Sequence, residues 1–136
     1  MRFMVFMIPD VYQPKSGKKV DPHHVPDVAM MKKMMKFNKE LEDVGAIIAL
    51  DGLQPLTNGA RLVFSGGKAQ VIDGSFVEAK EVIGGYWLLQ AKSKEQVVEW
   101  MKRCPAQNGD TLEIRQMFEV SDFPEEVQTA IRGEKK

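Results

Sequence analysis

The sequence predicts an α+β fold in which four main strands and two helices surround one hydrophobic core. Short apolar runs at Arg2–Ile8, 46–50 and 85–91 are typical of buried strands. Two segments with apolar residues at helical spacing separate the strands, and a β-hairpin is inserted before the third strand. The order strand, helix, strand, hairpin, strand, helix, strand is that of a ferredoxin-like split βαβ repeat.

The size and charge of the chain indicate one soluble domain. The 136 residues have a formal net charge of zero, so no long-range field favours nucleic acid or an anionic membrane as a partner. No apolar run has the length of a membrane span. The single cysteine rules out an intramolecular disulfide and fits a reducing cytoplasm. We expect residues 1–120 to form the domain and residues 121–136 a polar C-terminal tail.

Methionines are concentrated in the first predicted helix, which begins near Asp27 and ends at Gly45 after running to about Val44. Core packing by this flexible side chain is the favoured interpretation, and an adaptable ligand wall or a soft-metal site is the alternative. The apolar stripe consists of Met30, Met34, Phe37 and Leu41, widened by Met31 and Met35.

The second half of the chain contains a hairpin with strands at 61–64 and 69–72 around Gly66-Gly67. A capping box formed by Ser93 and Gln96 predicts the start of the second helix. The fourth main strand is expected at 111–120, followed by a short helix at 124–131. On that strand, Leu112, Ile114 and Phe118 are expected on one face and Glu113, Arg115, Met117 and Glu119 on the other.

The predicted strands also indicate an oligomer. Two helices can cover only one face of the sheet, whereas three strands are apolar at positions that point to both faces. A second copy of the chain is the simplest cover for the remaining face. We therefore expect a homodimer whose sheets pack face to face.

A charged segment, DGSFVEAKE at 73–81, precedes the third main strand. In one interpretation Asp73 or Glu81 acts as a base at a cleft, while Lys80 or Arg115 holds a small anionic ligand. In the other, Asp73 is a turn residue, Phe76 fills the core and the charges form ion pairs at the surface. Both interpretations remain open from the residues alone.

The histidines and the cysteine are weaker candidates. His23 and His24 are neighbours in a proline-rich loop with no third ligand nearby, so a surface position is favoured over a metal site. Cys104 is expected to be a small core residue and not a nucleophile. The sequence contains no phosphate-binding loop and no complete set of metal ligands, so it predicts no cofactor and no metal.

The segment DGSFVEAKE resembles the DGPFAETKE signature of the DGPF branch of the YCII-related proteins. Ser75, Val77 and Ala79 stand where that signature has Pro, Ala and Thr. The resemblance implies a dimeric α+β barrel. Relatives with this barrel include isomerases, monooxygenases and dehalogenating enzymes, whereas the DGPF branch itself has no settled reaction. Supporting segments are KFNKEL, DGLQP, RLVFSGGK, GGYWLLQAKSKEQVVEWMKRCP and EIRQMFEVSDF.

Two functions are compatible with the sequence. The first is a small-molecule-binding protein or enzyme with a cleft near the DGSFVEAKE segment. The alternative is a non-catalytic regulatory or interaction module, which the resemblance connects with extracytoplasmic-function sigma factors. For the first function, the catalytic candidates are Asp73 and Glu81, and the ligand-binding candidates are Phe76, Lys80, Arg115 and Gln54.

Overall fold

The computed structural model describes residues 1–13, 27–73 and 81–133, and its main elements follow the predicted order. Within these ranges the strands are β1 (Arg2–Ile8), β2 (Ile47–Gly52), β3 (Ala60–Ser65), β4 (Lys68–Asp73), β5 (Gly85–Gln90) and β6 (Thr111–Gln116). The α-helices of the described residues are α1 (Val28–Asp43), α2 (Lys94–Met101) and α3 (Glu125–Arg132).

Four strands form an antiparallel sheet in the order β2-β5-β1-β6, and β3 pairs with β4 in a separate hairpin. The two central strands of the sheet are therefore β1 and β5, as in a ferredoxin-like fold. The structure confirms the predicted α+β architecture.

Alternation along the central strands gives the sheet a core face and an open face. Opposite residues of an antiparallel pair point to the same side. Helices α1 and α2 pack against the core face. The other side, called the open face here, carries the half-buried side chains of Met4, Phe6, Tyr86 and Leu88. The buried cluster consists of Phe3, Val5, Phe37, Leu41, Ala46, Trp87, Leu89, Val97 and Met101.

Local hydrogen bonds begin both core helices at the predicted places. The Asp27 carboxylate accepts from the Met30 amide at 3.4 Å, and Gly45, with φ of 72°, ends α1. The Ser93 hydroxyl accepts from the Gln96 amide at 3.1 Å. The Gln96 side chain in turn accepts from the Lys92 amide, one residue before the position expected in a capping box.

The C-terminal segment leaves the sheet earlier than predicted, because β6 ends at Gln116. Arg2 holds the following residues by donating to the Glu119 carboxylate at 2.8 Å, and this hydrogen bond lowers the pKa of Glu119. The prediction that Phe118 shares a strand face with Leu112 and Ile114 is wrong, because Phe118 lies beyond the end of β6. Its ring is exposed and lies against Phe123, with 4.8 Å between the ring centroids.

Candidate functional site

A cavity of about 310 Å³ lies between the first half of α1 and the adjoining ends of β1, β2 and β5. Its lining is predominantly apolar, and we call it the methionine cavity. The apolar side chains that line it are Met7, Met31, Met34, Met35, Leu50 and Trp87.

Helical spacing produces the methionine wall of this cavity. Met31, Met34, Met35 and Asn38 occupy positions i, i+3, i+4 and i+7, so they lie along one side of α1. The prediction that Met31 and Met35 belong to the core is wrong. Both are exposed, Met35 to 61%, although they line the cavity. The alternative interpretation of these methionines, a ligand wall, fits their position.

Glycines explain why the space opposite α1 is not filled. Gly52 and Gly85 lie opposite one another in the β2–β5 pair, and both line the cavity together with Gly84. A Cβ atom added at Gly52 would meet no heavy atom within 4 Å. At Gly85 it would approach the carbonyl oxygen of Asp51 at 3.0 Å. The missing side chains leave the cavity that a filled core would close.

Trp87 forms the inner wall and is held in place by α1. Its indole nitrogen donates a hydrogen bond to Asn38 Oδ1 at 2.8 Å. The Phe37 ring packs against Trp87 edge to face, with a centroid distance of 6.2 Å and an interplanar angle of 88°. Burial and these two contacts fix the ring, so this wall of the cavity is preformed.

Two residues of the lining, Asp51 and Tyr86, carry a carboxylate and a phenol, and their opposite positions in the β2–β5 pair direct both side chains to the open face. Tyr86 donates its hydroxyl hydrogen to Asp51 Oδ2 at 3.2 Å, and this hydrogen bond raises the pKa of the Tyr86 phenol. Oδ1 of Asp51 remains able to accept from a second donor. The pair can bind a hydrogen-bond donor or exchange a proton with it.

The side chain of Gln13 holds the chain that leads into this site. Gln13 Nε2 donates to the Val82 carbonyl at 3.0 Å and to the Pro9 carbonyl at 2.8 Å, and Gln13 Oε1 accepts from the Val82 amide at 2.8 Å. Two residues later, Gly84 packs so closely on Pro9 that an added Cβ would lie 2.6 Å from the proline ring. These contacts position the glycines that line the cavity.

Comparison with known proteins identifies the family. The family model of the YCII-related domain matches residues 1–121. This chain belongs to the YCII-related domain family. The chain is also 26% identical over 85 residues to uncharacterized protein R00369 of Rhizobium meliloti (strain 1021), an alignment that covers 62% of this chain and 68% of that relative.

The described site residues that the sequence predicted for this YCII-related protein do not line the methionine cavity. Asp73 ends β4, Glu81 precedes β5, and Arg115 lies on β6 opposite Met4, which places it on the open face. All three candidates are exposed, and their side chains make no hydrogen bond or ion pair with any residue in the described ranges. Their grouping around one cleft stays a prediction.

Of the remaining candidates, Gln54 is among the described residues and the others are not. Gln54 is exposed and accepts a hydrogen bond from Asn58 Nδ2 at 2.8 Å, outside the methionine cavity. Phe76, Lys80, His23 and His24 lie outside the described residues, so their predicted roles stay predictions.

The structure agrees with a packing role for Cys104, which packs against the core cluster. Burial, together with nearby Asp110, raises the pKa of its thiol to about 11, so the nucleophilic thiolate is scarce at neutral pH. In the part of the YCII-related domain that the structure describes, no three His, Cys, Asp or Glu residues form a group suited to a metal ion. None of its described helices is long and apolar enough to span a bilayer.

Proposed function

We propose that this YCII-related protein binds a small, mainly apolar organic molecule in the methionine cavity. The cavity itself is the observation that carries the proposal, because ligand pockets typically have volumes of about 300–1,000 Å³ and mainly apolar walls. Four methionines adjust readily to the shape of a ligand, whereas Trp87 offers a fixed aromatic surface.

The apolar walls and the nearby negative charge of Asp51 favour a neutral or cationic ligand over an anionic one. The Asp51 carboxylate accepts from Tyr86 on the open face, so it acts on a ligand in the cavity through its charge. A ligand carboxylate would meet this like charge and lose its hydration in a largely apolar site. The small anion predicted from Lys80 and Arg115 would therefore need a different part of the chain. We assign binding and not a reaction, since Asp51 and Tyr86 serve equally for hydrogen bonding and for proton transfer.

A matched set of ligands tests this function. Three naphthalenes that carry a hydroxymethyl, an aminomethyl or a carboxylate group share one apolar body and differ in charge. We expect the first two to bind at least about 10-fold more tightly than the carboxylate by titration calorimetry, and to shift the methyl NMR signals of Met31, Met34 and Met35. Failure of all three to bind, or preference for the carboxylate, would contradict the proposal.

We also propose that the protein is a homodimer in which the open faces pack together. In a single chain this face leaves Met4, Phe6, Tyr86 and Leu88 half exposed. Glu113 and Arg115 lie on the same face, and a two-fold axis would let the acid of one copy approach the base of the other. Sedimentation at micromolar concentration should give a dimer, and Phe6→Glu should give a folded monomer.

The second candidate function is a non-catalytic interaction module. One observation favours it, the exposed apolar surface of the β3–β4 hairpin. The sigma-factor partner suggested by the resemblance can be tested by titrating a purified extracytoplasmic-function sigma factor into the protein. Saturable binding that the naphthalene ligands do not disturb would support this candidate over small-molecule binding.

A further inference from the structure

The β3–β4 hairpin is amphipathic, and its register shows which side is apolar. Leu62 lies opposite Val71, and Phe64 lies opposite Ala69. These four residues point to the same side of the hairpin, which we call the hairpin apolar face. The opposite side is mixed, because it carries Arg61, Ser65, Lys68 and Gln70 beside Val63 and Ile72.

The hairpin apolar face is the more exposed of the two sides. Leu62, Phe64 and Val71 are exposed to 55%, 75% and 62%, whereas Val63 and Ile72 on the mixed side are exposed to 40% and 38%. An isolated two-stranded hairpin is only marginally stable in water. An apolar side that faces solvent therefore indicates a partner surface that the described residues of the single chain do not supply.

Helix α3 has an exposed apolar side of its own. Val127 and Ile131 are four residues apart, so they lie on one side of the helix, and both are exposed. No residue of α3 is buried. The hairpin follows β2 and α3 follows the segment after β6, and these strands are the two opposite edges of the sheet. Because the apolar side chains of both are exposed, the hairpin apolar face and helix α3 do not cover one another within one chain.

We infer that the hairpin apolar face of one copy docks on helix α3 of a second copy, an inference that rests on the proposed homodimer. If the open faces pack about a two-fold axis parallel to the strands, the β2 edge of one copy lies over the β6 edge of the other. Strands of six residues span roughly 20 Å, which lets the hairpin reach along that edge. The same symmetry operation covers both hairpins and both copies of α3.

Charge does not select the occupant, but it allows a second copy. The two bases of the hairpin strands, Arg61 and Lys68, lie on the mixed side, and the acid Asp73 lies at the end of the hairpin apolar face. The whole chain has a formal net charge of zero, so two copies do not repel one another at long range.

The area is also sufficient. Burying a large apolar side chain removes roughly 60–120 Å² from water, so two hairpins and the surfaces that they meet would bury on the order of 1,000 Å². Specific interfaces begin near about 1,200 Å², and the open faces of the two sheets would contribute the remainder.

Matched threonine variants test the inference. The apolar-face variant combines Leu62→Thr, Phe64→Thr and Val71→Thr, and the control variant combines Val63→Thr and Ile72→Thr on the mixed side. Threonine suits a strand, so both variants should keep the hairpin. By sedimentation equilibrium we expect the apolar-face variant to raise the dimer Kd at least about 30-fold and the control to raise it less than about 3-fold.

A double-mutant cycle then identifies the contact. The α3 variant Val127→Ser with Ile131→Ser should weaken the dimer as the apolar-face variant does. The combination should be little worse than either variant alone, because both remove the same contact. Additive effects would contradict docking on α3. Urea unfolding and circular dichroism of each variant establish that the subunit remains folded.

Cross-linking of two different chains gives an independent readout. In a Cys104→Ala background, one chain carries Val71→Cys and the other carries Ile131→Cys. A short bismaleimide should join the two different chains more rapidly than it joins identical ones. Linkage only between identical chains, or no linkage between different ones, would overturn the inference.

The outcomes separate this inference from the homodimer proposal. A wild-type monomer at micromolar concentration overturns both. A wild-type dimer that the apolar-face and α3 variants leave unchanged overturns hairpin docking but supports dimerisation through the open face, which Phe6→Glu then tests separately.

Discussion

The side-chain amide of Gln13 pairs with the backbone of Val82 as a neighbouring strand would, donating to the carbonyl at 3.0 Å and accepting from the amide at 2.8 Å. The same Nε2 group donates to the Pro9 carbonyl at 2.8 Å. One side chain thus joins the segment after β1 to the segment before β5, where Val82 is buried. This contact fixes the approach of the chain to the methionine cavity.

Replacing Gln13 with Leu should lower the free energy of unfolding by about 1–3 kcal/mol, because the buried Val82 backbone loses both hydrogen-bond partners. Urea denaturation measures the loss. Gln107→Leu is the matched control, since this glutamine is exposed and its side chain makes no hydrogen bond with a described residue. It should change stability by less than about 0.5 kcal/mol. Equal effects of the two substitutions would contradict the role of Gln13.

Gly84→Ala should destabilise the fold by about 1–3 kcal/mol, because the new Cβ would lie 2.6 Å from Cγ and 2.9 Å from Cδ of Pro9. A proline ring cannot turn aside as a flexible side chain would. Gly52→Ala provides the contrast, since its Cβ meets nothing within 4 Å. Thermal unfolding should place Gly52→Ala at or above wild type. A Gly84→Ala protein as stable as wild type would refute the close contact with Pro9.

Trp87→Ala should cost about 3–5 kcal/mol of stability, because it removes a buried ring that packs on Phe37. Trp87→Phe should cost less, since it keeps an aromatic ring but loses the hydrogen bond to Asn38. Urea unfolding of the two variants gives the comparison. Almost no loss for Trp87→Ala would show that this wall of the cavity is not part of the core.

Gly52→Val should weaken ligand binding while preserving the fold, because its side chain would occupy open space in the methionine cavity. Valine is well suited to a strand position. We expect the affinity for the hydroxymethyl naphthalene to fall at least about 10-fold in titration calorimetry. Thr57→Val, at an exposed residue outside the cavity lining, is the control. Unchanged affinity in Gly52→Val would place the ligand elsewhere.

Cys104 predicts a specific dependence of stability on pH. Its thiol has a pKa of about 11 in the folded chain and about 8.5 in the unfolded chain. Between these values the unfolded chain loses the thiol proton first, so stability should fall as pH rises through this window. Cys104→Ala should lack that component in urea titrations. Alkylation of the native thiol at pH 8 should be roughly 100-fold slower than in urea, and equal rates would contradict its burial.

Local patterns allowed the elements to be predicted, but not the site. The Gly66-Gly67 pair specified the hairpin turn because both residues adopt positive φ, 59° and 77°. Spacing in α1 identified an apolar side, yet it could not show what stands opposite Met31 and Met35. That depends on Gly52 and Gly85, which come together only through strand pairing. Methionines at helical spacing combined with glycines at strand ends could have indicated the cavity.

The hydrogen bonds between Gln13 and Val82 could not be predicted from local sequence, since a glutamine in a loop carries no pattern that points to a residue 69 positions away. For Phe118, by contrast, a local pattern was present but predicted the wrong structure. Alternation continued in the sequence after Gln116, but the chain had already left the sheet through the contact between Arg2 and Glu119. Side-chain hydrogen bonds between distant segments therefore decided both outcomes.

The strand order also has a consequence for how the chain folds as it leaves the ribosome. In the sheet, β1 pairs only with β5 and β6, and β2 pairs with β5. The first two strands of this sheet therefore have no partner in it until β5 has been synthesised. Contacts this distant in sequence close large loops and slow folding. The first half of the nascent chain must therefore keep two apolar strands soluble. Before β5 is synthesised, the α1 helix and the local β3–β4 hairpin are the elements that can form.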